Sequence, residues 1–421
     1  MKTIEIRPVK KLNAEVSIPG SKSYTQRALI IASVAWGKSF LRNHLISEDV
    51  TFLIEGLRSL GAGIVTTDED IIISGTGGKI RNPGKEIYLG NNGTAMRFLT
   101  GLVSIGKGEF VLTGDGRLCE RPVKPLLDAL GTLSVNARSR NNNGRPPVII
   151  NANGIQGGKV IFTNIESSQY LSSILICAPF AERNTEIRLR GSTVSLPYVN
   201  MTVEIMEKFG VEVIKDNPDH YIIKNNQRYA GQRHMVEGDV SNASYFFLAS
   251  ALCKGKVRVL NINPSTLQGD IGLLNIMERL GCSVIKGDNW VEVAGGEMKG
   301  GEYIFDMKNM PDVVPTLAVL AAMRPGRTII KGAAHLRLKE SNRIAALVNE
   351  LTRTGVTAEE RDDGLIINGG HPHAAEIETY NDHRIAMSFA TLGLAVPGIK
   401  IKDRDCVNKS FPGFWNELER L

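Results

Sequence analysis

A chain of 421 residues has room for two or three domains at roughly 150 residues each. With 42% hydrophobic and 22% charged residues its proportions are globular, which excludes a disordered chain and a collagen-like one. Basic residues exceed acidic ones by six, a modest excess without a basic run, which fits an anionic small molecule and not a nucleic-acid groove.

Residues 3–9 alternate polar and apolar positions and form a strand pattern, not the apolar core of a signal peptide. No apolar stretch reaches the ~18 residues of a membrane span. A cytoplasmic chain with no membrane partner is expected.

From residue 20 onward a polar loop opening into an apolar helix recurs six times. The loops are Gly20-Ser-Lys-Ser-Tyr-Thr-Gln-Arg27, Gly90-Asn-Asn-Gly-Thr-Ala-Met-Arg97, Ile165-Glu-Ser-Ser-Gln-Tyr170, Glu237-Gly-Asp-Val-Ser-Asn-Ala243, Met310-Pro-Asp-Val-Val-Pro315 and Tyr380-Asn-Asp-His-Arg384. Their starts are spaced by 70 to 75 residues, the mark of an internal structural repeat. After each loop come a helix (28–35, 245–252), a strand (256–261, 327–331), a second helix ending in a Leu-Gly or Phe-Gly stop (53–61, 203–210, 271–281) and further strand. The unit reads βαβαββ.

Six copies divide into two domains of three. The last copy is cut short at 411–421, so residues 1–20 are expected to complete the C-terminal domain. This predicts an N-terminal domain over 21–236, a C-terminal domain from 1–20 and 237–421, and a hinge at the crossings near 20 and 237.

Helix N-termini expose unpaired N–H groups and partial positive charge, and so bind anions. Several loops carry what such a site wants: Lys22, Ser23 and Arg27; Gly93, Thr94 and Arg97; Ser167, Ser168 and Gln169; Arg384. Capping explains a Ser, Thr, Asn or Asp in any one of them. It does not explain Lys or Arg at a helix start, where cations oppose the dipole. Between repeats, Arg117, Arg121 and Lys124 sit in a turn leading into a helix, and arginine suits bidentate carboxylate or phosphate recognition. Lys339 and Arg343 share a helical face beside Glu340, which is also the pattern of a solvated surface. Asp312, ahead of an almost wholly apolar helix, is an N-cap or a poised base.

Other features carry no chemistry. Cys119, Cys177, Cys253, Cys282 and Cys406 are odd in number with no CxxC pair, so neither a disulfide framework nor a metal site is indicated. His371 and His373 read as a surface turn. Gly37-Lys38-Ser39 lacks the earlier glycine of a P-loop, and Gly75-Thr-Gly-Gly78 lacks the spacing of a dinucleotide fingerprint. No nicotinamide, flavin or pyridoxal site is legible, and no cofactor is expected.

Taken together, Pro19-Gly-Ser-Lys-Ser, Gly93-Thr-Ala-Met-Arg97, Glu120-Arg-Pro122, Ser167-Ser-Gln169, Pro311-Asp312, Leu338-Lys-Glu-Ser-Asn-Arg343, Tyr380-Asn-Asp-His-Arg384 and Lys409-Ser-Phe-Pro412 resemble the 5-enolpyruvylshikimate-3-phosphate synthase family across essentially the whole chain. The resemblance implies an inside-out α/β barrel fold, two domains of three βαβαββ repeats with the site in the cleft. It implies transfer of the enolpyruvyl group of phosphoenolpyruvate to the 5-hydroxyl of shikimate 3-phosphate, by addition and elimination, without metal or covalent enzyme adduct, in aromatic amino acid biosynthesis. Carried over by position, Lys22, Ser23, Arg27, Ser167, Ser168, Gln169, Ser195, Tyr198, Asp312 and Lys339 would hold shikimate 3-phosphate. Lys22, Gly93, Arg121, Gln169, Arg343, Arg384 and Lys409 would hold phosphoenolpyruvate, whose position the herbicide glyphosate takes in many members. Asp312 would be the base and Glu340 the proton donor, with Lys22 and Lys409 helping the phosphate depart. A monomer is expected.

Three positions depart from the family's common pattern: Asn92 for Ala or Ser, Phe98 for Pro, and His335 for Asn, which is therefore not counted as a ligand. A sister family that transfers enolpyruvate to a UDP-sugar shares the fold but carries a reactive cysteine five residues before the phosphoenolpyruvate arginine. Here Cys119 lies two before Arg121. A catalytically dead binding protein on the same scaffold would not need Lys22, Asp312, Glu340 and Lys409 together.

Overall fold

The computed structural model describes residues 2–421. The chain divides into two compact units, one of Gly20–Val236, the other of the residues up to Pro19 together with Glu237–Leu421. Gly20 groups with the first, where a Cβ would lie 1.7 Å from the Asn43 carbonyl oxygen.

Twelve α-helices lie among the described residues: α1 (Lys22–Val34), α2 (Glu48–Ser59), α3 (Gly93–Val103), α4 (Lys124–Thr132), α5 (Ser168–Cys177), α6 (Leu196–Lys208), α7 (Val240–Leu252), α8 (Leu273–Arg279), α9 (Val314–Met323), α10 (Arg343–Arg353), α11 (His383–Gly393) and α12 (Phe414–Glu419). They are of two kinds. The odd-numbered helices follow the six repeated loops and are buried on nearly every side: α7 and α11 along their whole length and α9 along all but its last residue. A helix without a polar face must be covered all round, so these helices occupy the interior of each unit. Even-numbered helices show one buried stripe, such as Val50, Leu53, Ile54 and Leu57 of α2. They cover the flanks.

Sheets close the outside. Asn13–Ser17 runs parallel to Lys256–Leu260, which pairs antiparallel with Trp290–Ala294, and that strand with Ser283–Lys286. Val257 and Val259 alternate inward to the core while Lys256 faces out, the pattern of a sheet with one dry face. Four further sheets repeat this order of one parallel and two antiparallel neighbours. The result is six repeats, five of them complete βαβαββ units and the last shortened, helices inside and sheets outside, with a separate hydrophobic core in each unit. Gly61, Gly210 and Gly281 follow α2, α6 and α8 at φ +110°, +92° and +111°, the left-handed stop.

Two closures come from distant sequence. The strand Arg233–Met235 lies parallel to Lys38–Arg42 and supplies the outer strand of the first sheet in Gly20–Val236, a pairing the repeat pattern did not disclose. The N-terminal segment serves two sheets: Asn13–Ser17 as above, and Ile4–Glu5 beside Lys400–Ile401 in the three-stranded sheet of the shortened last repeat.

Candidate active site

In Gly20–Val236 the candidate residues cluster at the N-termini of α1, α3 and α5. Each helix is capped from its own loop: Ser21 Oγ accepts from the Tyr24 N–H, Asn92 Oδ1 from Ala95 and Ser167 Oγ from Gln169. Lys22 begins α1, and its Nζ donates to Asp49 Oδ2 at 3.1 Å. One turn on, Arg27 is buried. Its Nε donates to Thr202 Oγ1 (2.8 Å) and Nη1 to the Ser23 carbonyl (2.9 Å), with the Phe98 and Tyr198 rings 5.2 and 5.7 Å from the guanidinium carbon. None of these neighbours carries a formal negative charge. Burial therefore dominates and lowers the Arg27 pKa to about 10, still leaving it a cation at neutral pH. Nη2 is buried with no hydrogen-bond partner.

Arg97 ties two loops together by donating to the Gly93 carbonyl (3.2 Å), Gln169 Oε1 (3.0 Å) and the Pro122 carbonyl (3.0 Å). The Gln169 amide donates in turn to Thr94 Oγ1 at 2.9 Å. The Arg121 guanidinium lies directly over Gly93, where an added Cβ would be 2.5 Å from Cζ. Ser168 is buried in the first turn of α5. Ser195 sits before α6 in the left-handed region at φ 60°, and its carbonyl accepts from the Tyr198 N–H.

The departures from the common pattern have local roles. Asn92, besides capping α3, donates to Gln26 Oε1 and the Asp49 carbonyl, so it joins α3 to α1 and α2. Phe98 faces the Arg27 guanidinium.

The other unit is built on ion pairs. Asp312 stands one residue before the N-cap position of α9, which Val313 occupies. Its Oδ1 pairs with Arg343 Nη1 (3.1 Å) and its Oδ2 with Arg384 Nη2 (2.7 Å). Arg343 also holds Glu340 Oε2 (2.7 Å) and Asp382 Oδ2 (2.8 Å), and is buried among the three carboxylates. The reading of Lys339 and Arg343 as a solvated face therefore fails for Arg343. Burial alone would raise the Asp312 carboxyl, but Arg384, then Lys339 and Arg343, hold it well below the usual carboxylate range. Burial would likewise discharge Arg343, but Asp382, Glu340 and Asp312 more than offset it and hold its pKa above the ordinary arginine value. Lys409 is buried in a short turn whose next residue, Ser410, accepts from Asn242 of α7.

Three residues were missed or undervalued by sequence. Asp382 caps α11 through the Arg384 N–H (3.0 Å) and accepts from Ser341 Oγ and Arg343 Nε, so it fixes both arginines. An acid just before a helix was the available signal. Asp270 is buried on Ser241, its carboxyl pushed up by burial and by Asp312. Nothing in its sequence surroundings marks it. His335 is buried with both ring nitrogens unpartnered; burial, then Lys339, lower its pKa to about 3. No group of His, Cys, Asp or Glu among the described residues could hold a metal ion, and none of the described helices is long and apolar enough to cross a membrane.

Residues 6–418 match the family model described as EPSP synthase (3-phosphoshikimate 1-carboxyvinyltransferase). A curated 3-phosphoshikimate 1-carboxyvinyltransferase of Nostoc punctiforme is 42% identical over 424 residues, covering 100% of this chain and 99% of its own. Another, from Methanospirillum hungatei, is 41% identical over 411 residues, 96% and 95% of the two chains. A solved EPSP synthase structure from Acinetobacter baumannii superposes with a TM-score of 0.82 at 27% identity, covering 100% of this chain and 98% of that one. With the repeat architecture, the capped loops and the Asp312 cluster in place, the chain belongs to the EPSP synthase family.

Proposed function

We propose an assignment of residues to the reaction of this family. The enzyme transfers the enolpyruvyl group of phosphoenolpyruvate to the 5-hydroxyl of shikimate 3-phosphate, releasing phosphate, on the route to aromatic amino acids. Asp312 takes the proton of the 5-hydroxyl as its oxygen attacks C2 of phosphoenolpyruvate, while Glu340 gives a proton to the C3 methylene. The tetrahedral adduct then returns a C3 proton to the Glu340 carboxylate as its phosphate leaves, with Lys22 and Lys409 offsetting the charge.

Shikimate 3-phosphate is assigned to Lys22, Ser23, Arg27, Ser167, Ser168, Gln169, Ser195, Tyr198, Asp312 and Lys339. Phosphoenolpyruvate is assigned to Lys22, Gly93, Arg121, Gln169, Arg343, Arg384 and Lys409. One observation carries this reading: each oxygen of Asp312 is bonded to a different arginine, and Arg343 also holds Glu340. A carboxylate so held is a weak base. An incoming carboxylate that takes over Arg343 and Arg384 releases it, so the second substrate switches on the base for the first.

The test offers each acceptor separately in a phosphate-release assay. Release with shikimate 3-phosphate and none with a UDP-sugar supports the assignment; the reverse supports the sister reaction, against which Cys119 stands two residues from Arg121 instead of five. The same reading makes the chain a cytoplasmic monomer, checked by light scattering in solution.

A further inference from the structure

We infer that Glu350, assigned to neither substrate, positions Arg384 by tethering the loop that delivers it. The inference rests on the assignment of Arg384 to phosphoenolpyruvate.

Glu350 lies in the last turns of α10 and is fully buried. Its Oε1 accepts from Tyr380 Oη (2.8 Å), and its Oε2 from the Glu378 backbone N–H (3.1 Å). Both donors belong to the approach to α11. There Tyr380 and Asn381 stand at φ 56° and 51°, consecutive non-glycine residues in the left-handed region. Such a backbone persists only where its surroundings hold it. The next residue, Asp382, caps α11, accepts from Arg343 and lies two before Arg384. Helix α10 therefore grips this loop at both ends, through Arg343 and Asp382 at its start and through Glu350 near its finish.

Among the described residues the only cation bonded to Glu350 is Arg353 at 3.0 Å, whose side chain is 47% exposed. A half-exposed partner offsets little of the cost of burying a carboxylate, which the two loop donors must meet. Only a carboxylate can accept on both oxygens, because glutamine turns an N–H group toward one of the donors.

Glu350→Gln and Tyr380→Phe should be compared with Arg384→Ala in steady-state kinetics and thermal melts. Glu350→Gln is expected to raise KM for phosphoenolpyruvate about tenfold, with kcat within about threefold and KM for shikimate 3-phosphate unchanged, since one hydrogen bond to a charged group is lost. Tyr380 is partly exposed, so Tyr380→Phe keeps the fold and should shift the same KM in the same direction by about threefold. The double variant should show less than the product of the two, because both break one tether. An unchanged KM for phosphoenolpyruvate in both variants, while Arg384→Ala raises it, overturns the inference. Equal rises for both substrates, tracking the loss of melting temperature, overturn it too. Should Arg384→Ala itself leave that KM unchanged, the assignment of Arg384 falls.

Discussion

Two pairs of arginines near the candidate loops, one pair in each unit, are held in opposite ways. In Gly20–Val236, Arg27 and Arg97 are buried against aromatic rings, carbonyls, a hydroxyl and an amide, groups without formal charge. In the other unit, Arg343 and Arg384 are bonded to Asp312, Glu340 and Asp382. A cation held by neutral dipoles keeps its charge for an incoming anion, at the cost of its own desolvation. Cations held by carboxylates are already neutralised and must exchange partners before an anion can use them. The first arrangement suits a phosphate that stays in place through the reaction. The second suits a substrate whose arrival must alter the reactivity of the groups around it.

Removing the charge of Asp312 breaks this contrast most severely. Asp312→Asn keeps nearly the same shape but cannot take the hydroxyl proton, so turnover should fall by about 10²- to 10⁴-fold. It also removes the charge from both ion pairs, leaving one arginine an amide oxygen and turning an N–H group toward the other. Phosphoenolpyruvate binding should accordingly hold steady or tighten, while shikimate 3-phosphate binds within about an order of magnitude of the parent, since hydrogen bonds typically contribute ~1 kcal/mol each. Calorimetric titration of each substrate alone separates the two effects. Turnover within a few-fold of the parent removes Asp312 from the mechanism, and much weaker phosphoenolpyruvate binding contradicts the exchange of partners.

Gly93→Ala sharpens the contrast from the other side. The new methyl would fall 2.5 Å from Cζ and 2.6 Å from each of Nη1 and Nη2 of Arg121, which is itself buried. The guanidinium must move, so the loss is expected through Arg121 as well as through direct crowding of the ligand. KM for phosphoenolpyruvate should rise about tenfold, the scale of one charge-assisted hydrogen bond. Shikimate 3-phosphate, assigned to Ser23, Arg27 and Ser168, should be little affected. Equal losses for both substrates point to damage across the loop. An unchanged KM for phosphoenolpyruvate denies Gly93 and Arg121 a place in its site.

How much of this was legible in the sequence follows from the range of each interaction. Loop spacing and capping are local, so the six-fold repeat and the caps at Ser21, Asn92, Ser167, Asp239 and Asp382 stand in order along the chain. The strand Arg233–Met235 is not local: three residues with one buried position give no period to read, and its partner lies some 190 residues earlier. Burial of a charge is equally hidden. Glu350 and Arg353 look like an ordinary helical surface pair, and only the fold shows that one is fully buried and the other half exposed. Asp49 and Asp270 likewise sit among other acids and turns, and tertiary packing alone brings the first to Lys22 and the second to Ser241. For Asp312 the sequence left a cap and a base both open. In the fold Val313 takes the N-cap position of α9 and Asp312 turns to two arginines, contacts that no local pattern announces.

The smallest expected effects come from two buried histidines, His234 in one unit and His335 in the other. His234 has its pKa lowered to about 4 by burial and by Lys208, and His335 to about 3 by burial and by Lys339, from an ordinary value near 6.5. The sign follows from which state binds the proton. Below pH 6.5 the unfolded chain takes up a proton that the folded chain refuses until about pH 4, so stability is complete above 6.5 and falls as the pH drops through that window. His234→Gln and His335→Asn should each flatten the fall in melting temperature between pH 6.5 and 4.5. Only the second lies beside Asp312 and Lys339, so only it should alter a substrate KM, and by no more than a few-fold, as one neutral hydrogen-bonding group replaces another. Because the imidazole is uncharged across the working range, His335→Asn should leave the pH profile of kcat/KM between 6 and 8 in place. A profile that moves would mean that the parent enzyme titrates His335 there, and that substrate anions reverse the effect of Lys339 on the ring.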